Sequence, residues 1–325
     1  MTNTRDQKIQ AEARRLLQDG VVDVVIGFTR GTLPYRMQPC FIQEADETTC
    51  LEMNGLCSNN LAIYLNHRPR GERIAMVVRG CESRAIQALV LENRHARDAL
   101  YLIGVPCTGI LDLQKVQPRE QDAILSIQEE GDQVRVILSS GEKLLNRSDV
   151  LHSACVHCNH PVPINADEII DEPGLFEERS FDKSYLDAFR GLTLDERYER
   201  FREEAERCVR CYACREACPM CTCEECFVDH SRPQWTDSTI CPAGQQAWHI
   251  IRAFHQTGRC VSCGACERAC PMNIKMTYLT DLLNRDVFEE YGFEPGLDPA
   301  LMPPFLTLGQ DKEKFTAQQE GQHAS

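Results

Sequence analysis

Short apolar runs alternate with amphipathic stretches along the first third of the chain. Three runs have the length and the continuous apolar character of strands that are buried on both faces. One helical pattern precedes the first run, and another lies between the second run and the third. The predicted strands are VVDVVIGF (Val21–Phe28), RIAMVVRG (Arg73–Gly80) and ALYLIGVPC (Ala99–Cys107), and the predicted helices are residues 6–19 and RAIQALVLENR (Arg84–Arg94).

This order of elements predicts an α/β N-terminal domain with a parallel βαβ core. A strand, a helix and a second strand joined by short connections form that unit, with helices on the faces of the sheet. Ligands of such sheets bind beyond the carboxyl ends of the strands, where Gly27–Arg30, Gly80–Ser83 and Gly104–Thr108 are expected. Farther along, Ile124–Leu138 alternates apolar and polar positions around a turn at Glu130–Asp132, which predicts a hairpin.

The second half of the chain has a helical pattern. An acidic segment, Glu168–Phe181, is broken by Pro173 and Gly174 and marks the predicted boundary. We therefore expect an α/β domain at residues 1–170, a mainly α-helical domain at 171–290 and an extended tail at 291–325. Helices are predicted at Leu194–Cys208, at Trp248–Gly258 and in the 20 residues that begin at Asn273.

Composition narrows the setting of the protein. The chain has 325 residues, a formal net charge of -14 and 19 cysteines, an odd number at spacings typical of metal ligands rather than of a small disulfide scaffold. The acidic charge argues against a nucleic-acid partner. The N-terminus lacks the apolar core of a secretory signal, and no apolar run approaches the roughly 20 residues that span a bilayer. We expect a cytoplasmic, anaerobic protein without direct membrane insertion.

Two copies of the motif C-x2-C-x2-C-x3-C-P dominate the second half. This is the ligand pattern of a ferredoxin with two 4Fe–4S clusters, in which the fourth cysteine of each motif binds the other cluster. The proline after each fourth cysteine turns the chain away from the cluster. The predicted ligands are Cys208, Cys211, Cys214 and Cys270 for one cluster, and Cys260, Cys263, Cys266 and Cys218 for the other.

The two motifs are separated by a long insert that contains further metal-ligand candidates. Its helical pattern resembles the helical ferredoxins of fumarate or heterodisulfide reductase subunits rather than the compact β-type. It holds Cys221, Cys223, Cys226 and Cys241, which are enough for a third cluster, with a structural zinc ion as the alternative. His230, His249 and His255 are additional candidate ligands, each of which could instead be structural.

The N-terminal half also has a metal-ligand pair, Cys155 and Cys158, spaced as C-x2-C. A fourth 4Fe–4S cluster is predicted there, with Cys57 and Cys107 as the other two ligands and Cys81 as the next candidate. A zinc ion and a redox dithiol remain alternatives for the pair. Cys40 and Cys50 are interpreted as buried small apolar residues, so both are expected in the interior of the fold.

The order of several short motifs resembles a known family. MVVRGCESRAI, YLIGVPCTGI and CVHCNHP followed by NADEII resemble the beta-subunit family of deazaflavin-coenzyme hydrogenases and dehydrogenases, in particular relatives with a C-terminal dicluster domain. The resemblance spans roughly residues 20–270. It implies a 4Fe–4S cluster in the α/β domain and makes FAD a candidate second cofactor. At the position of the family's Gly/Ser-rich flavin segment, this chain has GFTRGTLPYRMQP (Gly27–Pro39).

No nucleophile–base pair, Walker loop or G-x-G-x-x-G fingerprint is present in the sequence. We therefore predict an iron–sulfur electron-transfer subunit of an oxidoreductase complex. It would connect a catalytic partner (formate dehydrogenase, hydrogenase or a heterodisulfide-reductase-like subunit) to another acceptor, and the partner would carry out the substrate chemistry. The alternative is an FAD-containing subunit that reacts with a deazaflavin coenzyme or NAD(P)H and feeds the clusters. Basic residues among the ligands could offset cluster charge or form a docking face: Arg207, Arg210, Arg215, Arg259, Arg268 and Lys275.

Overall fold

The computed structural model describes residues 4–69, 71–116, 122–170, 184–237 and 239–306. Its N-terminal half is built on a five-stranded sheet of order β2-β1-β3-β4-β8. Neighbouring pairs among β1, β3, β4 and β8 are parallel, and only β2 pairs antiparallel, with β1. The strands are β1 (Val24–Arg30), β2 (Met37–Ile42), β3 (Ile74–Val78), β4 (Leu100–Gly104) and β8 (Glu168–Ile169).

The predicted βαβ unit is confirmed. Every residue of β3 is buried, as the uninterrupted apolar run indicated, and α2 (Gly80–Leu91) connects β3 to the parallel strand β4. The amphipathic helix α1 (Thr4–Gln18) buries Ile9, Ala13 and Leu16 in the same core.

A separate three-stranded antiparallel sheet follows β4. It contains the predicted hairpin, formed by β5 (Ile124–Glu130) and β6 (Gln133–Leu138), and a third strand, β7 (Gly141–Asn146). The third strand was not predicted because five of its six residues are exposed and carry no apolar pattern. The edge strand β2 was also missed, since Pro39 interrupts it and its burial is irregular.

Within the described residues 184–306, the C-terminal half contains helices and no strand. Helix α7 begins with a capping box between Thr193 and Glu196. The helices share a small core, in which Trp248 of α9 is 1% exposed and lies with Phe201 of α7. The helices are α6 (Tyr185–Arg190), α7 (Leu194–Glu206), α8 (Ala213–Glu216), α9 (Pro242–His255), α10 (Ala265–Arg268) and α11 (Thr277–Tyr291). Shorter elements elsewhere are α3 (Leu113–Val116), α4 (Arg147–Val150), α5 (Ser153–Val156) and 3-10 helices at Ala45–Cys50, Leu61–His67, Arg97–Ala99 and Pro304–Leu306.

The two halves pack directly against each other. Met220 and Val261 of the C-terminal half lie in the same core as the parallel strands. An ion pair between Arg259 and Glu92 at 2.5 Å joins the halves at their surface. The described part of the tail also packs on this protein, since Arg84 Nη2 donates to the carbonyl oxygen of Pro295 at 2.7 Å.

Part of the predicted organisation falls outside the described residues. The predicted boundary segment Glu168–Phe181 does so from residue 171 onward, and the tail does so beyond residue 306, so the exact limits of the domains stay predictions. The helices within the described ranges are all too short or too polar to cross a bilayer.

Candidate iron–sulfur sites

The predicted ligands of the first ferredoxin cluster come together around one small cavity, called site 1. The cavity has a volume of about 30 Å³ and lies between α9 and the two motif segments. Burial raises the pKa of the Cys208 and Cys214 thiols. The Arg210 backbone N–H donates to Cys208 Sγ at 3.3 Å. The cysteines that line this cavity include Cys208, Cys211, Cys214 and Cys270.

The ligands of the second ferredoxin cluster form site 2. Burial raises the pKa of Cys260 to about 12, and the nearby charges of Cys263 and Cys218 add to this effect. Burial likewise raises the pKa of Cys266, which interacts with the same three cysteines. The Ser262 backbone N–H donates to Cys260 Sγ at 3.4 Å. Site 2 therefore groups Cys218 with Cys260, Cys263 and Cys266, and their assignment as ligands of one cluster stays a prediction.

The two motifs share one backbone conformation. In the first motif Arg210 and Tyr212 have positive φ values of 50° and 59°, and in the second Ser262 and Gly264 have 54° and 68°. Such left-handed positions between helical turns direct successive backbone N–H groups into one concavity, which suits an anionic group. At Gly264 a side chain would also collide, because an added Cβ would lie 2.6 Å from Ala154 Cβ.

The donor sets of sites 1 and 2 fit iron–sulfur clusters. Each offers four soft sulfur donors. Five of the eight thiols have a pKa that is raised in the metal-free chain, and a bound metal replaces their protons: Cys208, Cys214, Cys218, Cys260 and Cys266. Within the described residues, no group of three or more His, Cys, Asp or Glu side chains is arranged to hold a single ion. Four sulfur ligands of one tetrahedral zinc ion lie about 3.8 Å from one another. The four sulfur ligands of a 4Fe–4S cubane bind four different iron atoms and therefore lie farther apart.

A third group of cysteines, called site 3, lies at the carboxyl edge of the parallel sheet. Burial raises the pKa of Cys107 to about 11, and the charges of Cys155 and Cys158 add to the effect of burial. Cys81, in the first turn of α2, interacts with Cys107 and lines the same small cavity as Cys158. The Ile110 backbone N–H donates to Cys155 Sγ at 3.3 Å.

The structure does not bring Cys57 to this group. Its side chain is fully buried in the α/β core, and burial raises its pKa to about 12. Its Sγ lies 3.9 Å from the carbonyl oxygen of Glu52 and accepts from the Asn54 backbone N–H at 3.4 Å. Cys81, the next candidate in the sequence analysis, takes its place beside Cys107, because the first turn of α2 starts at the sheet edge.

The four cysteines of the insert also do not converge. Cys241 caps the N-terminus of α9, where its Sγ accepts from the Gly244 backbone N–H at 3.4 Å. Cys221 lies at the other end, where Gln256 Nε2 donates to its Sγ at 3.5 Å. At a rise of 1.5 Å per residue, the helix separates these two ends by about 20 Å. Cys221 instead lies beside Cys218 of site 2.

The three remaining insert cysteines and one of the candidate histidines share a larger cavity. Cys221, Cys223, Cys226 and His255 all line a space of about 600 Å³. His249 lines the cavity of site 1 instead, and burial lowers its pKa to about 4. His230 lies outside both cavities and 3.7 Å from Glu225. Cys40, predicted to be a small apolar residue, is half-buried beside the exposed Cys50, and burial raises its pKa to about 12.

Arg252 is a site residue that the sequence analysis missed. It lies on α9, lines the cavities on both of its sides and is only 8% exposed. Its Nη2 donates to the carbonyl oxygen of Cys214 at 3.3 Å. Its charge interacts with Cys214 of site 1 and with Cys266 and Cys218 of site 2. The sequence did not indicate this role, because Arg252 is one arginine within an ordinary amphipathic helical pattern.

Sites 2 and 3 are close neighbours across the junction of the two halves. Cys81 of site 3 interacts with Cys263 of site 2. The hydroxyl of Ser153, on the turn that carries Cys155, donates to Glu267 Oε2 at 3.2 Å. The junction therefore places the α/β group of cysteines against the ferredoxin motifs.

Comparison with known proteins finds one matching domain family and similar beta subunits. Residues 204–274 match the 4Fe-4S dicluster domain. The beta subunit of an F420-dependent formate dehydrogenase from Methanocaldococcus jannaschii is 25% identical, over 91% of this chain and 93% of its own. The beta subunit of F420-dependent formate dehydrogenase 1 from Methanococcus maripaludis is 21% identical, over 91% and 92%.

A solved chain of the F420-reducing [NiFe] hydrogenase complex from Methanosarcina barkeri covers 48% of this chain and 62% of its own. Its sequence identity is 15% and its TM-score is 0.38, too low to support an inference. The two curated relatives and the matched domain confirm the prediction of an iron–sulfur electron-transfer protein. They also confirm the resemblance found in the sequence: over nine-tenths of its length the chain is similar to beta subunits of F420-dependent formate dehydrogenases, and it contains a 4Fe-4S dicluster domain.

Proposed function

We propose that this chain relays electrons through 4Fe–4S clusters held at sites 1, 2 and 3. The observation that carries the proposal is the position of Cys81, which belongs to the α/β half and interacts with Cys263 of the ferredoxin half. Site 2 is in turn linked to site 1 through Arg252, whose charge interacts with cysteines of both. When bound, each cluster accepts and releases one electron, so neighbouring sites form a path for successive short transfers.

The residues of this chain supply ligands, burial and orientation for that path. Backbone N–H groups of Arg210, Ser262 and Ile110 donate to ligand sulfurs, which stabilises thiolates and lowers their basicity. Sites 1 to 3 include half-buried and buried cysteines at the junction of two packed halves, which limits access of water. The proposed ligands of site 3 are Cys81, Cys107, Cys155 and Cys158, with Cys57 left in the core.

The partners proposed for the relay are other oxidoreductase subunits. The chain would take electrons from, or deliver them to, a catalytic subunit of formate dehydrogenase, hydrogenase or heterodisulfide-reductase type. Its similarity to formate dehydrogenase beta subunits favours the first of these. The cytoplasm is the proposed location, because thiolate-bound clusters require a reducing compartment.

Matched cysteine variants test site 3. Iron and acid-labile sulfide are measured after anaerobic reconstitution of the full chain, at about four of each per cluster. Cys81→Ser should lower both counts by about four, because one ligand of site 3 is lost. Cys57→Ser is the control, and it should keep the wild-type count.

Two results would contradict the relay as proposed. A wild-type count of about eight would leave only the ferredoxin clusters. If Cys57→Ser lost four iron atoms and Cys81→Ser kept the wild-type iron count, Cys57 and not Cys81 would be the ligand at site 3, as first predicted from the sequence. Either result can be read without knowing the physiological partner.

A second candidate function is direct reaction with the deazaflavin coenzyme F420 through bound FAD. The observation that favours it is similarity over nine-tenths of the chain to subunits of F420-dependent enzymes. The segment Gly27–Pro39, at the position of the family's flavin segment, contributes to a hairpin of β1 and β2. Gly27 is packed against Leu51, because a Cβ added at Gly27 would lie 2.4 Å from Leu51 Cδ2. Anaerobic purification followed by flavin extraction distinguishes the functions: one FAD per chain would establish this candidate over a relay without flavin.

A further inference from the structure

A cavity of about 600 Å³ lies where the C-terminal end of α9 meets the 3-10 helix Leu61–His67 of the N-terminal half. Three cysteines of the segment CTCEEC line it: Cys221, Cys223 and Cys226. None of the twelve cysteines of sites 1 to 3, which all lie in the described residues, lines this cavity. The cavity is therefore a separate place in the fold with its own set of soft donors.

The thiols of this cavity face hydrogen-bond donors. Gln256 Nε2 donates to Cys221 Sγ at 3.5 Å. The guanidinium of Arg215 hydrogen-bonds Cys226. Donors of this kind stabilise a thiolate over a thiol, as they do around the ligands of bound metals. The surroundings therefore favour the form of cysteine that binds metal.

Two polar atoms on the wall of the cavity have no hydrogen-bond partner among the described residues. They are Thr222 Oγ1, in the middle of the cysteine segment, and Arg252 Nε, on a side chain that is 8% exposed. Buried polar atoms are usually hydrogen-bonded, so two such atoms without a partner on one cavity wall point to a further group bound beside them. A cluster with bridging sulfide ions would supply acceptors for both.

The size of the cavity favours a cluster over one metal ion. A zinc ion requires four donors within about 2.0 to 2.3 Å of a single point. The described residues contain no group of three or more donors arranged in that way. The three cysteines line a cavity of about 600 Å³, which has room for a 4Fe–4S cubane.

The fourth donor of this cavity is His255, because Cys241 lies at the opposite end of α9. His255 immediately precedes Gln256, the donor to Cys221. Its ring also lies 5.2 Å from the ring of Phe227, the residue that follows Cys226. His255 therefore brings an imidazole to the wall of the cavity that the three cysteines line. His67 lines the same cavity from the other half, at the end of the 3-10 helix Leu61–His67.

We propose that Cys221, Cys223, Cys226 and His255 hold a further 4Fe–4S cluster, called site 4. The proposal extends the relay of sites 1 to 3 and rests on the same iron–sulfur function. Cys221 lies beside Cys218, so site 4 adjoins site 2. An imidazole ligand replaces one anionic thiolate and raises the reduction potential of a cluster, as in centres with histidine ligands. Site 4 is accordingly the high-potential end of the path.

Cysteine variants and metal analysis test whether the cluster exists. The full chain is reconstituted anaerobically, and iron, sulfide and zinc are counted. Wild type should hold about sixteen iron atoms, and Cys226→Ser about twelve. Cys241→Ser is the matched control and should stay near sixteen. Cys81→Ser should independently remove four, so failure of site 3 and failure of site 4 give different results.

Histidine variants test the fourth ligand. His255→Cys should keep the iron count of wild type and lower the potential of one cluster in an anaerobic redox titration followed by electron paramagnetic resonance. His67→Ala should leave that potential unchanged. An unchanged titration in His255→Cys would remove His255 from the ligand set and overturn the assignment.

Three metal counts would overturn site 4. Cys226→Ser with the iron count of wild type would show that no cluster is held there. Loss of four iron atoms in Cys241→Ser would return Cys241 to the ligand set. One zinc atom per chain that disappears in Cys226→Ser would identify a zinc site instead.

Discussion

Removing the charge of Arg252 should lower the reduction potentials of the clusters at sites 1 and 2. Burial alone would lower the pKa of this guanidinium, but the charges of Cys266, Cys218 and Cys214 outweigh burial and raise it well above its ordinary value. No carboxylate in the described residues forms an ion pair with it. The anionic clusters therefore compensate this buried cation, and the cation in turn favours the reduced, more negative form of each cluster.

The size of the effect follows from Coulomb's law. At an effective dielectric constant of about 20 and a charge separation of about 6 to 10 Å, one unit charge contributes about 1.7 to 2.8 kcal/mol. For a one-electron couple, about 1.4 kcal/mol corresponds to 59 mV. Arg252→Gln should therefore lower the two potentials by about 70 to 120 mV, and Arg252→Lys should retain most of the wild-type value.

The assay is an anaerobic redox titration of the reconstituted full chain, followed by electron paramagnetic resonance, with iron counted in every sample. Arg207→Gln is the control for loss of a positive charge near the ligands, because Arg207 is exposed, paired with Glu204 and screened by water. Its shift should be a small fraction of that in Arg252→Gln. Equal shifts in the two variants, or potentials in Arg252→Gln within about 20 mV of wild type, would refute the reasoning.

Three further predictions concern packing. Glu82→Ala leaves the 2% exposed Arg79 without its buried carboxylate partner and should cost about 3 to 5 kcal/mol, measured by anaerobic urea unfolding. Trp248→Ala should cost about 3 to 5 kcal/mol in the same assay, because the indole is 1% exposed. Gly80→Ala should remove about four iron atoms, because its Cβ would lie 2.0 Å from the carbonyl oxygen of His160, near the ligands of site 3. Gly191→Ala is the control, because Gly191 has a φ of -69° and the nearest atom lies 3.4 Å from the added Cβ; it should keep the wild-type count, which separates this effect from a general one.

Local patterns were sufficient to predict the elements with strong periodicity. The run at β3 is apolar throughout and completely buried, so its place in a parallel sheet followed from the sequence. The spacing of the ferredoxin cysteines predicted both groups because the motif itself forms each ligand turn. Strand β7 has almost no buried side chain and could not be found in this way.

The wrong ligand predictions concern cysteines that are far apart in the sequence, whose positions depend on the fold. Cys81 belongs to the segment Gly80–Ser83, which the sequence placed at the expected edge, whereas Cys57, the predicted ligand, belongs to a segment without a predicted position. The start of α2 at the end of β3 is what brings Cys81 beside Cys107. Cys241 and Cys221 belong to one cysteine-rich insert. The rigid helix between them keeps them apart, because 14 helical residues cannot be folded back.

The same helix explains how charge is distributed around the clusters. The sequence suggested that abundant arginines among the ligands offset cluster charge, yet Arg259 is bound to Glu92, and Arg215 to Glu216 and Asp229. Carboxylates already neutralise these arginines, so they contribute little to the potentials and more to holding the halves and loops together. Arg252 differs because α9 carries it between sites 1 and 2, away from any carboxylate that the described residues could provide. Arg252 therefore compensates cluster charge from a buried position on a rigid helix, which the density of basic residues in the sequence did not reveal.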